Sequence, residues 1–255
     1  MILQGKTALI TGAGRGIGAA IATTLAAEGA CVVVSARTVD EIESVARSLA
    51  QPSWAIACDV SDPEQIEHLF ESATAKLGRV DILINNAGIA ISSPLKSTTL
   101  DDWNRIFSVN TTSAFLCTKA FLPAMIEQGW GRVVNIASIA GKIGAPYISA
   151  YAASKHAMIG FTRAIAAEVA TTGVTVNAVC PGYVNTPMTK LSVANIVEKT
   201  GAPEERVLEN LKQTSPQNRL MEVEEIAYLV LTLCDPRAKG ISGQAIVLDG
   251  GTVQS

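Results

Sequence analysis

The chain has 255 residues, of which 48% are hydrophobic and 17% charged, and its formal net charge is −3. This composition excludes a disordered chain, and a near-neutral charge without a long run of Lys or Arg gives no support for a nucleic-acid-binding surface. The length suits one α/β domain with a large core.

Cysteine and histidine usage bears on location and on metal binding. The five cysteines are odd in number and dispersed, with no Cys-x-x-Cys pair, which favours reduced thiols and a cytoplasmic protein. Only two histidines occur, so a metal site is not expected. No segment reaches about 18 uninterrupted apolar residues, and residues 1–11 lack the plan of a signal peptide, so no membrane association is expected.

Short apolar runs alternate with helical stretches along the chain. The runs are rich in Val and Ile and mostly lack alternation, as expected of strands buried on both faces. Predicted strands cover 6–11, 31–35, 54–57, 80–85, 131–137, 174–180 and 244–248. Predicted helices cover the stretch from a glycine-rich turn to about residue 28, then 39–50, 63–77, 100–128, 151–171 and 222–234. This order predicts a single doubly wound α/β (Rossmann) domain with a mostly parallel seven-stranded sheet.

The first predicted strand runs into a glycine-rich turn, Gly12-Ala13-Gly14-Arg15-Gly16-Ile17-Gly18. Glycines between a strand and a helix N-terminus let backbone N–H groups approach a pyrophosphate, and the helix dipole favours the anion. The spacing is Thr-Gly-x-x-x-Gly-x-Gly rather than Gly-x-Gly-x-x-Gly. We expect a phosphate cradle, and the alternative is a flexible loop that is glycine-rich by chance.

Cofactor choice is expected at the end of the second predicted strand. An acidic residue there normally binds the 2′-hydroxyl of NAD, whereas arginine accommodates the 2′-phosphate of NADP. Arg37 holds this place, nineteen residues after Gly18, and Arg15 adds a second cation. Guanidinium pairs bidentately with phosphate, so NADP is expected, with NAD as the alternative if both arginines are solvated. Asp40 and Glu41 follow in the first turn of a helix, where the dipole explains them.

The strongest chemical signal is Tyr151-Ala152-Ala153-Ser154-Lys155, thirteen residues after Ser138. Residues four apart lie on one face of a helix. A free phenol has a pKa of about 10, and an ammonium about 4 Å away would lower that pKa by about three, into the range of a general acid–base. The alternative is a chance pair on a surface helix.

The segment 182–215 breaks the alternation, with two prolines, helical pieces and no predicted strand. An insertion beside the carboxyl end of a parallel strand is where a substrate lid would sit, so we expect a lid at about 183–215. Its four basic residues and four glutamates cancel, which gives no strong case for recruiting an acyl carrier protein or coenzyme A by charge. A mainly apolar substrate pocket is expected from Ile89, Ile91, Ile139, Ile143, Tyr147, Tyr183 and Met188.

Four motifs stand in order: Thr11-Gly12-x-x-x-Gly16-x-Gly18, Asn85-Asn86-Ala87-Gly88, Ser138 and Tyr151-x-x-x-Lys155, with Pro181-Gly182 after the sixth strand. Together they resemble the short-chain dehydrogenase/reductase family over nearly the whole chain, and most closely its branch of 3-oxoacyl and acetoacetyl-CoA reductases. The resemblance implies an NAD(P)-dependent oxidoreductase that interconverts a carbonyl and a secondary alcohol by hydride transfer. NADPH-dependent reduction of a 3-oxoacyl thioester or a similar ketone is expected. The alternatives are an NAD-dependent 3-hydroxyacyl or other secondary-alcohol dehydrogenase, a non-catalytic NADP-binding sensor and a sugar-nucleotide epimerase.

The resemblance also implies roles for single residues. Tyr151 would donate the proton to the substrate or accept it. Lys155 would lower the pKa of Tyr151 and hold the nicotinamide ribose. Ser138 would bind the carbonyl oxygen, and Asn110 would anchor a water of the proton relay. Asn86, Ala87 and Gly88 would follow the adenosine ribose, Asp59 would lie near the adenine, and Thr186 with the backbone of Val184 near the nicotinamide carboxamide. The cofactor-binding residues expected in all are Gly12, Gly14, Arg15, Gly16, Ile17, Gly18, Arg37, Asp59, Val60, Asn86, Ala87, Gly88, Tyr151, Lys155, Pro181, Gly182, Val184 and Thr186.

Two predicted helices, 100–128 and 151–171, are apolar or small on nearly every side. One buried face cannot absorb all of these residues, and so wide an apolar surface indicates an interface. By resemblance to the family we expect a four-helix seam between two subunits. A second interface at strand 245–248 would complete a homotetramer, and the alternative is a monomer whose loops cover these faces.

Overall fold

Seven strands form one sheet in the computed structural model, which describes residues 1–254. All neighbouring pairs are parallel, in the order β3-β2-β1-β4-β5-β6-β7. The strands are β1 (Thr7–Thr11), β2 (Cys31–Ala36), β3 (Ser53–Ala57), β4 (Ile82–Asn85), β5 (Gly131–Ile136), β6 (Val174–Pro181) and β7 (Ala245–Leu248). The predicted doubly wound α/β domain with a seven-stranded sheet is confirmed, and each strand ends within two residues of its predicted bounds.

Helices cover both faces of this sheet. They are α1 (Gly16–Ala27), α2 (Val39–Ser48), α3 (Pro63–Leu77), α4 (Leu100–Phe107), α5 (Ser113–Glu127), α6 (Ser149–Glu168), α7 (Pro187–Thr200), α8 (Glu204–Lys212) and α9 (Val223–Cys234). Successive strand residues point to opposite faces, so Ala8 and Ile10 of β1 pack with α1, α2 and α9, whereas Leu9 packs with α3 and α5. Burial on both faces explains why the strands are nearly continuous apolar runs.

The prediction of one helix over 100–128 is wrong in the middle. The chain forms α4, then a π-helical turn at Ser108–Thr112, then α5. Residues 108–113 are polar except for Val109 and include no Gly or Pro, so no helix-breaking residue marks the interruption. The turn leaves the Asn110 side chain fully buried, and π-turns of this kind are frequent at functional sites.

The crevice for a ligand lies where the strand order reverses, between β1 and β4. In an open parallel sheet, ligands bind outside the carboxyl ends of the strands at such a point. The glycine-rich turn after β1 and the loop after β4 meet there. Within residues 1–254, no helix is long and apolar enough to cross a membrane.

Candidate active site

The turn after β1 needs glycine for steric reasons. Gly12 and Gly16 have φ values of +64° and +58°, a region that side chains disfavour. A Cβ on Gly12 would lie 2.8 Å from the Ala87 Cα in the loop after β4, and a Cβ on Gly18 would collide with the Gly12 carbonyl. The glycines therefore let β1, α1 and the loop after β4 approach one another.

Asn86 joins the ends of β1 and β4. Its Nδ2 donates to the carbonyl oxygens of Thr11 and Gly12, both at 2.9 Å. The Thr11 hydroxyl oxygen in turn accepts from the backbone N–H groups of Asn86, at 3.1 Å, and Ala87, at 3.2 Å. Asn86 thus shapes the glycine turn from the side, and its predicted place beside the adenosine ribose stays a prediction.

The N-terminus of α1 fits a dinucleotide pyrophosphate. Within the described chain, the first backbone N–H groups of the helix have no side-chain cap, and the first turn carries no acidic residue to repel an anion. Thr186 lies close by, because its Cγ2 would be 3.6 Å from a Cβ on Gly16. Its hydroxyl donates to the Val184 carbonyl at 3.3 Å and accepts from Thr189 N–H at the start of α7. The fold therefore brings Thr186 to the glycine turn, with Val184 hydrogen-bonded to it. Their contacts with the nicotinamide stay a prediction.

Both arginines predicted to meet a 2′-phosphate are ion-paired. Arg15 Nη1 lies 3.0 Å from Glu41 Oε1, and Arg37 Nη1 lies 3.8 Å from Asp59 Oδ2. Burial opposes ionisation of Asp59, but hydrogen bonds from Ser61 and the charge of Arg37 outweigh it and keep the pKa of Asp59 below its usual value. The two ion pairs together carry no net charge, and their four side chains, called the neutral cluster below, come from the segments that follow β1, β2 and β3.

Ser138 and Tyr151 meet above the end of β5. Their hydroxyls share a hydrogen bond, and the Ser138 oxygen also accepts from Ala140 N–H at 3.1 Å. The approach depends on Gly141, because a Cβ there would lie 2.7 Å from the Lys155 carbonyl oxygen. The short helical turn after Ser138 can therefore pack directly on α6, which carries Tyr151.

Lys155 is a buried cation beneath this pair. Its side chain is 3% exposed, and its Nζ donates to the Ile136 carbonyl at 2.8 Å. Burial disfavours the charged form and lowers its pKa from 10.5 to about 8. A Cβ on Gly88 would come within 3.6 Å of Nζ, so this glycine leaves the space above the ammonium open.

The expected lowering of the Tyr151 pKa by Lys155 does not appear in the structure. Burial raises the pKa of Tyr151 above its usual value, the hydrogen bond from Ser138 opposes the rise, and nearby Tyr183 and Cys180 add to it. The reason is geometric: Lys155 Nζ lies 5.8 Å from the centre of the Tyr151 ring and points to a backbone carbonyl. Ser138 is the side chain that favours the phenolate here.

Asn110 anchors the loop after β4 to α6. Its Oδ1 accepts from Ile89 N–H at 2.8 Å, and its Nδ2 donates to the Ile89 carbonyl at 3.0 Å and to Ser154 Oγ at 3.1 Å. Ser154 then donates to the Tyr151 carbonyl at 2.7 Å. Sequence reasoning missed Ser154, which is fully buried one residue before Lys155. A small polar residue inside the Tyr-x-x-x-Lys segment was the available signal.

Core packing and strand pairing fix the positions of other predicted cofactor residues. Val60 is buried in the core beneath α3, so only its backbone can face a ligand, and Ile17 packs on the opposite core. Gly182 N–H donates to the Leu248 carbonyl at 3.0 Å, which fixes the end of β6, with Pro181, against β7. In residues 1–254 no group of three or more His, Cys, Asp and Glu side chains is arranged to hold a metal ion.

Several residues predicted to line an apolar substrate pocket are exposed, and the pocket stays a prediction. Four of the predicted pocket residues have large exposed surfaces, from 41% to 63%: Ile143, Tyr147, Tyr183 and Met188. Tyr147 has a φ of +67°, which is unusual for a side chain of this size, and its carbonyl accepts from Ser93 N–H at 2.7 Å. Lys199 at the end of α7 donates to the Ser92 carbonyl at 2.8 Å. These two contacts tie the loop after β4 to the segment before α6 and to α7.

Comparisons with known proteins agree with this geometry. The family model described as short chain dehydrogenase matches residues 6–196. The D-beta-hydroxybutyrate dehydrogenase of Rhizobium meliloti is 38% identical over 96% of this chain and 98% of its own length. The 3-oxoacyl-acyl-carrier-protein reductase of Vibrio cholerae is 39% identical over 98% of both chains.

Two solved structures of reductases also resemble this chain over nearly its whole length. A crystal structure of an actinorhodin polyketide ketoreductase variant with NADPH superposes with a TM-score of 0.94 at 36% identity, over 97% of both chains. Levodione reductase superposes with a TM-score of 0.93 at 33% identity, over 98% of both chains.

Proposed function

This chain belongs to the short-chain dehydrogenase/reductase family, and we propose that it reduces a 3-oxoacyl thioester or a similar ketone with NADPH. Family membership makes it an NAD(P)-dependent oxidoreductase that interconverts a carbonyl and a secondary alcohol. The observation that carries the proposal is the hydrogen-bonded pair of Ser138 and Tyr151 above the buried Lys155. The name of the Vibrio cholerae relative supports the substrate class, and the NADPH in the polyketide ketoreductase structure supports the cofactor.

Ser138, Tyr151 and Lys155 have different roles in the proposed reaction. The nicotinamide, when bound, supplies the hydride. The Ser138 hydroxyl donates a hydrogen bond to the substrate oxygen while negative charge develops there. Tyr151 transfers its proton to the same oxygen. Lys155, whose Nζ has the Ile136 carbonyl as its protein acceptor, would use its remaining donors to hold the nicotinamide ribose. In the oxidative direction Tyr151 takes the proton from the alcohol.

A second candidate is an NAD-dependent dehydrogenase of a 3-hydroxyacyl or other secondary alcohol. Two observations favour it: the likeness to the D-beta-hydroxybutyrate dehydrogenase of Rhizobium meliloti, and the pairing of Arg15 and Arg37 with carboxylates. In this case the neutral cluster would accept a ribose hydroxyl without rearrangement.

A carbonyl panel distinguishes the two candidates. We expect NADPH oxidation with 3-oxoacyl thioesters and β-keto esters, and slower turnover with NADH. Ser138→Ala should lower kcat about 100-fold, because one donor to the developing oxyanion is lost. Faster oxidation of 3-hydroxybutyrate by NAD⁺ than reduction of any panel member by NADPH would support the second candidate instead.

We propose that residues 183–215 act as a lid over the substrate. Helices α7 and α8 form a small apolar cluster of their own around Val193, Val207 and Leu211, separate from the two main cores. The contact from Lys199 to the Ser92 carbonyl ties this pair of helices to the loop after β4, on the other side of the opening. A segment with its own small core and few ties to the sheet can move as a unit.

We also propose a homotetramer. Phe115 of α5 is 45% exposed and makes an edge contact with Phe161 of α6, with ring centroids 6.2 Å apart. Trp103 on α4 is also exposed, and it stacks on Phe107. Strand β7 forms one edge of the sheet, with four partly exposed apolar residues. Apolar helix faces and an open edge strand are surfaces that association covers.

The cysteines support a cytoplasmic location as part of the proposal. All five are free thiols, and four of them are buried. Reduced, unpaired cysteines are usual in the cytoplasm.

A further inference from the structure

Four charged side chains stand at the outer end of the glycine turn, and the two arginines among them are held differently. Arg15 is paired closely with Glu41, at 3.0 Å, in a hydrogen bond from Nη1 to Oε1. Arg37 is 3.8 Å from Asp59, whose Oδ1 already accepts from the Ser61 hydroxyl at 2.7 Å and from the Ser61 N–H at 3.0 Å. Arg37 is therefore loosely held, whereas Arg15 is engaged.

Glu41 does more than complement a helix dipole. A Cβ built on Gly14 would lie 2.8 Å from Glu41 Oε2 and 3.0 Å from the Glu41 Cβ, so this side chain lies over the backbone of the turn. Its carboxylate is thereby placed between α2 and Arg15. The neighbouring acid, Asp40, shares the first turn of α2 but is exposed, and no ion pair joins it to any described residue.

We propose that Glu41 is a specificity-determining residue that sets the preference between NADPH and NADH by competing for Arg15. The inference rests on the proposed function, since it assumes that the adenosine end of the cofactor lies at this cluster. A 2′-phosphate brings about two negative charges and needs a guanidinium that can bind it bidentately. To provide one, Arg15 must leave Glu41, and the Glu41 carboxylate must move away from the phosphate that replaces it. A 2′-hydroxyl requires neither change.

The two arginines respond differently to Glu41. Arg37 remains available to a phosphate whatever Glu41 does. Arg15 becomes available only when Glu41 is displaced or neutralised. Glu41 therefore lowers the affinity for NADPH without lowering the affinity for NADH to the same extent.

Binding measurements test the inference without turnover. We would titrate the intact protein with NADPH, NADH, 2′,5′-ADP and 5′-AMP by calorimetry, using wild type, Glu41→Gln and the matched control Asp40→Asn. Glu41→Gln should tighten NADPH and 2′,5′-ADP about tenfold and leave NADH and 5′-AMP nearly unchanged, as expected for a change of about 1.4 kcal/mol. Asp40→Asn, which removes the same charge from the same turn, should change NADPH affinity by much less.

A double-mutant cycle shows whether the effect passes through Arg15. In an Arg15→Gln background, Glu41→Gln should improve NADPH affinity by at most about twofold, because there is no guanidinium to release. Equal changes for NADPH and NADH in Glu41→Gln, or equal effects of Glu41→Gln and Asp40→Asn, would overturn the inference and leave the proposed function standing. A wild-type protein that binds none of the four nucleotides would overturn both.

Discussion

At the scale of single residues, the active site depends on one buried cation. Lys155 has a single protein acceptor, the Ile136 carbonyl, within the described chain, so the remaining donors of its ammonium stay available to a ligand. Its pKa of about 8 leaves it mostly charged at neutral pH. The charge lies beside the space that Gly88 leaves open, where it can serve a cofactor hydroxyl.

Mutations of the two residues of the Tyr-x-x-x-Lys motif should have different effects on turnover and on cofactor binding. We expect Tyr151→Phe to remove at least 99% of turnover and to leave the Kd for NADPH within about threefold, because only the hydroxyl that moves the proton is lost. Lys155→Ala should harm both, since it also removes a donor to the cofactor. Stopped-flow turnover and calorimetry measure the two effects. More than a tenth of the wild-type rate in Tyr151→Phe would rule this residue out as the acid–base.

Arg37 should favour NADPH over NADH. Arg37→Ala removes a charge-assisted contact of about 1.5–3 kcal/mol, so we expect the affinity for NADPH to fall about ten- to a hundredfold and that for NADH to stay nearly constant. Arg47→Ala is the matched control, because Arg47 is also exposed and ion-paired but lies at the far end of α2. Equal losses for the two cofactors would mean that Arg37 does not meet the 2′-phosphate.

The sequence predicted residue types better than it predicted their contacts. The motif around Tyr151 indicated the chemistry, but its spacing alone could not show that Lys155 points to a backbone carbonyl or that Ser138 reaches the phenol. Glu41 was explained by the helix dipole, since nothing in a linear pattern indicates that its side chain turns back to Gly14. Contacts between distant segments depend on side-chain directions, which a single sequence does not contain.

At the scale of elements, the strands were predictable and one helix was not. Val- and Ile-rich runs between Gly-rich turns fixed all seven strands, because a strand buried on both faces has few other compositions. The π-helical turn around Asn110 lies in a mostly polar stretch without Gly or Pro, so no residue type marks the interruption of the helix. The segment that positions a predicted catalytic residue was therefore the part of the helix pattern that sequence reasoning missed.

The N-terminus of α9 is held by an ion pair whose effect depends on pH. Arg219 donates to both oxygens of Glu225, at 2.7 and 2.8 Å, and this hydrogen bonding lowers the pKa of Glu225 to about 2 from 4.5. Because the folded pKa is depressed, the stabilisation is complete above about pH 4.5 and is lost as the pH falls towards 2. Both side chains are more than a third exposed, so solvent screens the pair and we expect its stabilising effect to be small.

Thermal unfolding of Glu225→Gln tests this pair. At neutral pH we expect the variant to have a Tm lower by about 3 °C, and the difference from wild type should shrink as the pH falls from 4.5 to 2. Glu224→Gln is the matched control, because it removes an acid from the same turn that has no ion-pair partner among the described residues. A constant difference at all pH values would show that the variant loses packing rather than charge pairing.

At the scale of the whole molecule, some of the exposed apolar side chains lie on the helices where association is proposed. Trp103 of α4 and Phe115 of α5 are exposed, and Phe161 of α6 is partly exposed. Tyr228, on α9 and outside the proposed interfaces, is 71% exposed. The prediction from the sequence, that two helices carry more apolar residues than one face can bury, agrees with these exposures. The number of subunits stays a prediction, because one chain does not define its partners.

Charge placed on the α6 face should separate the subunits. We expect Phe161→Glu or Ala164→Glu to convert a tetramer to smaller species in light scattering at micromolar concentration, because a carboxylate cannot be buried unpaired between apolar helices. Ala75→Glu, on an exposed position of α3, should leave the mass unchanged. A wild-type protein with monomeric mass and full activity would contradict the proposed assembly.

The position of β1 in the middle of the sheet has a consequence for how the protein is made. During synthesis, β1 and β2 can pair early, but the other edge of β1 stays open until β4 has emerged. The face of α1 with Ile21 and Leu25 packs against Ile226 and Val230 of α9, about 200 residues later. Translation proceeds at about 5–20 residues per second, so this face of α1 remains uncovered for about 10–40 s before α9 has been synthesised. The apolar face of α1 and the open edge of β1 are therefore exposed to association with other chains for most of translation.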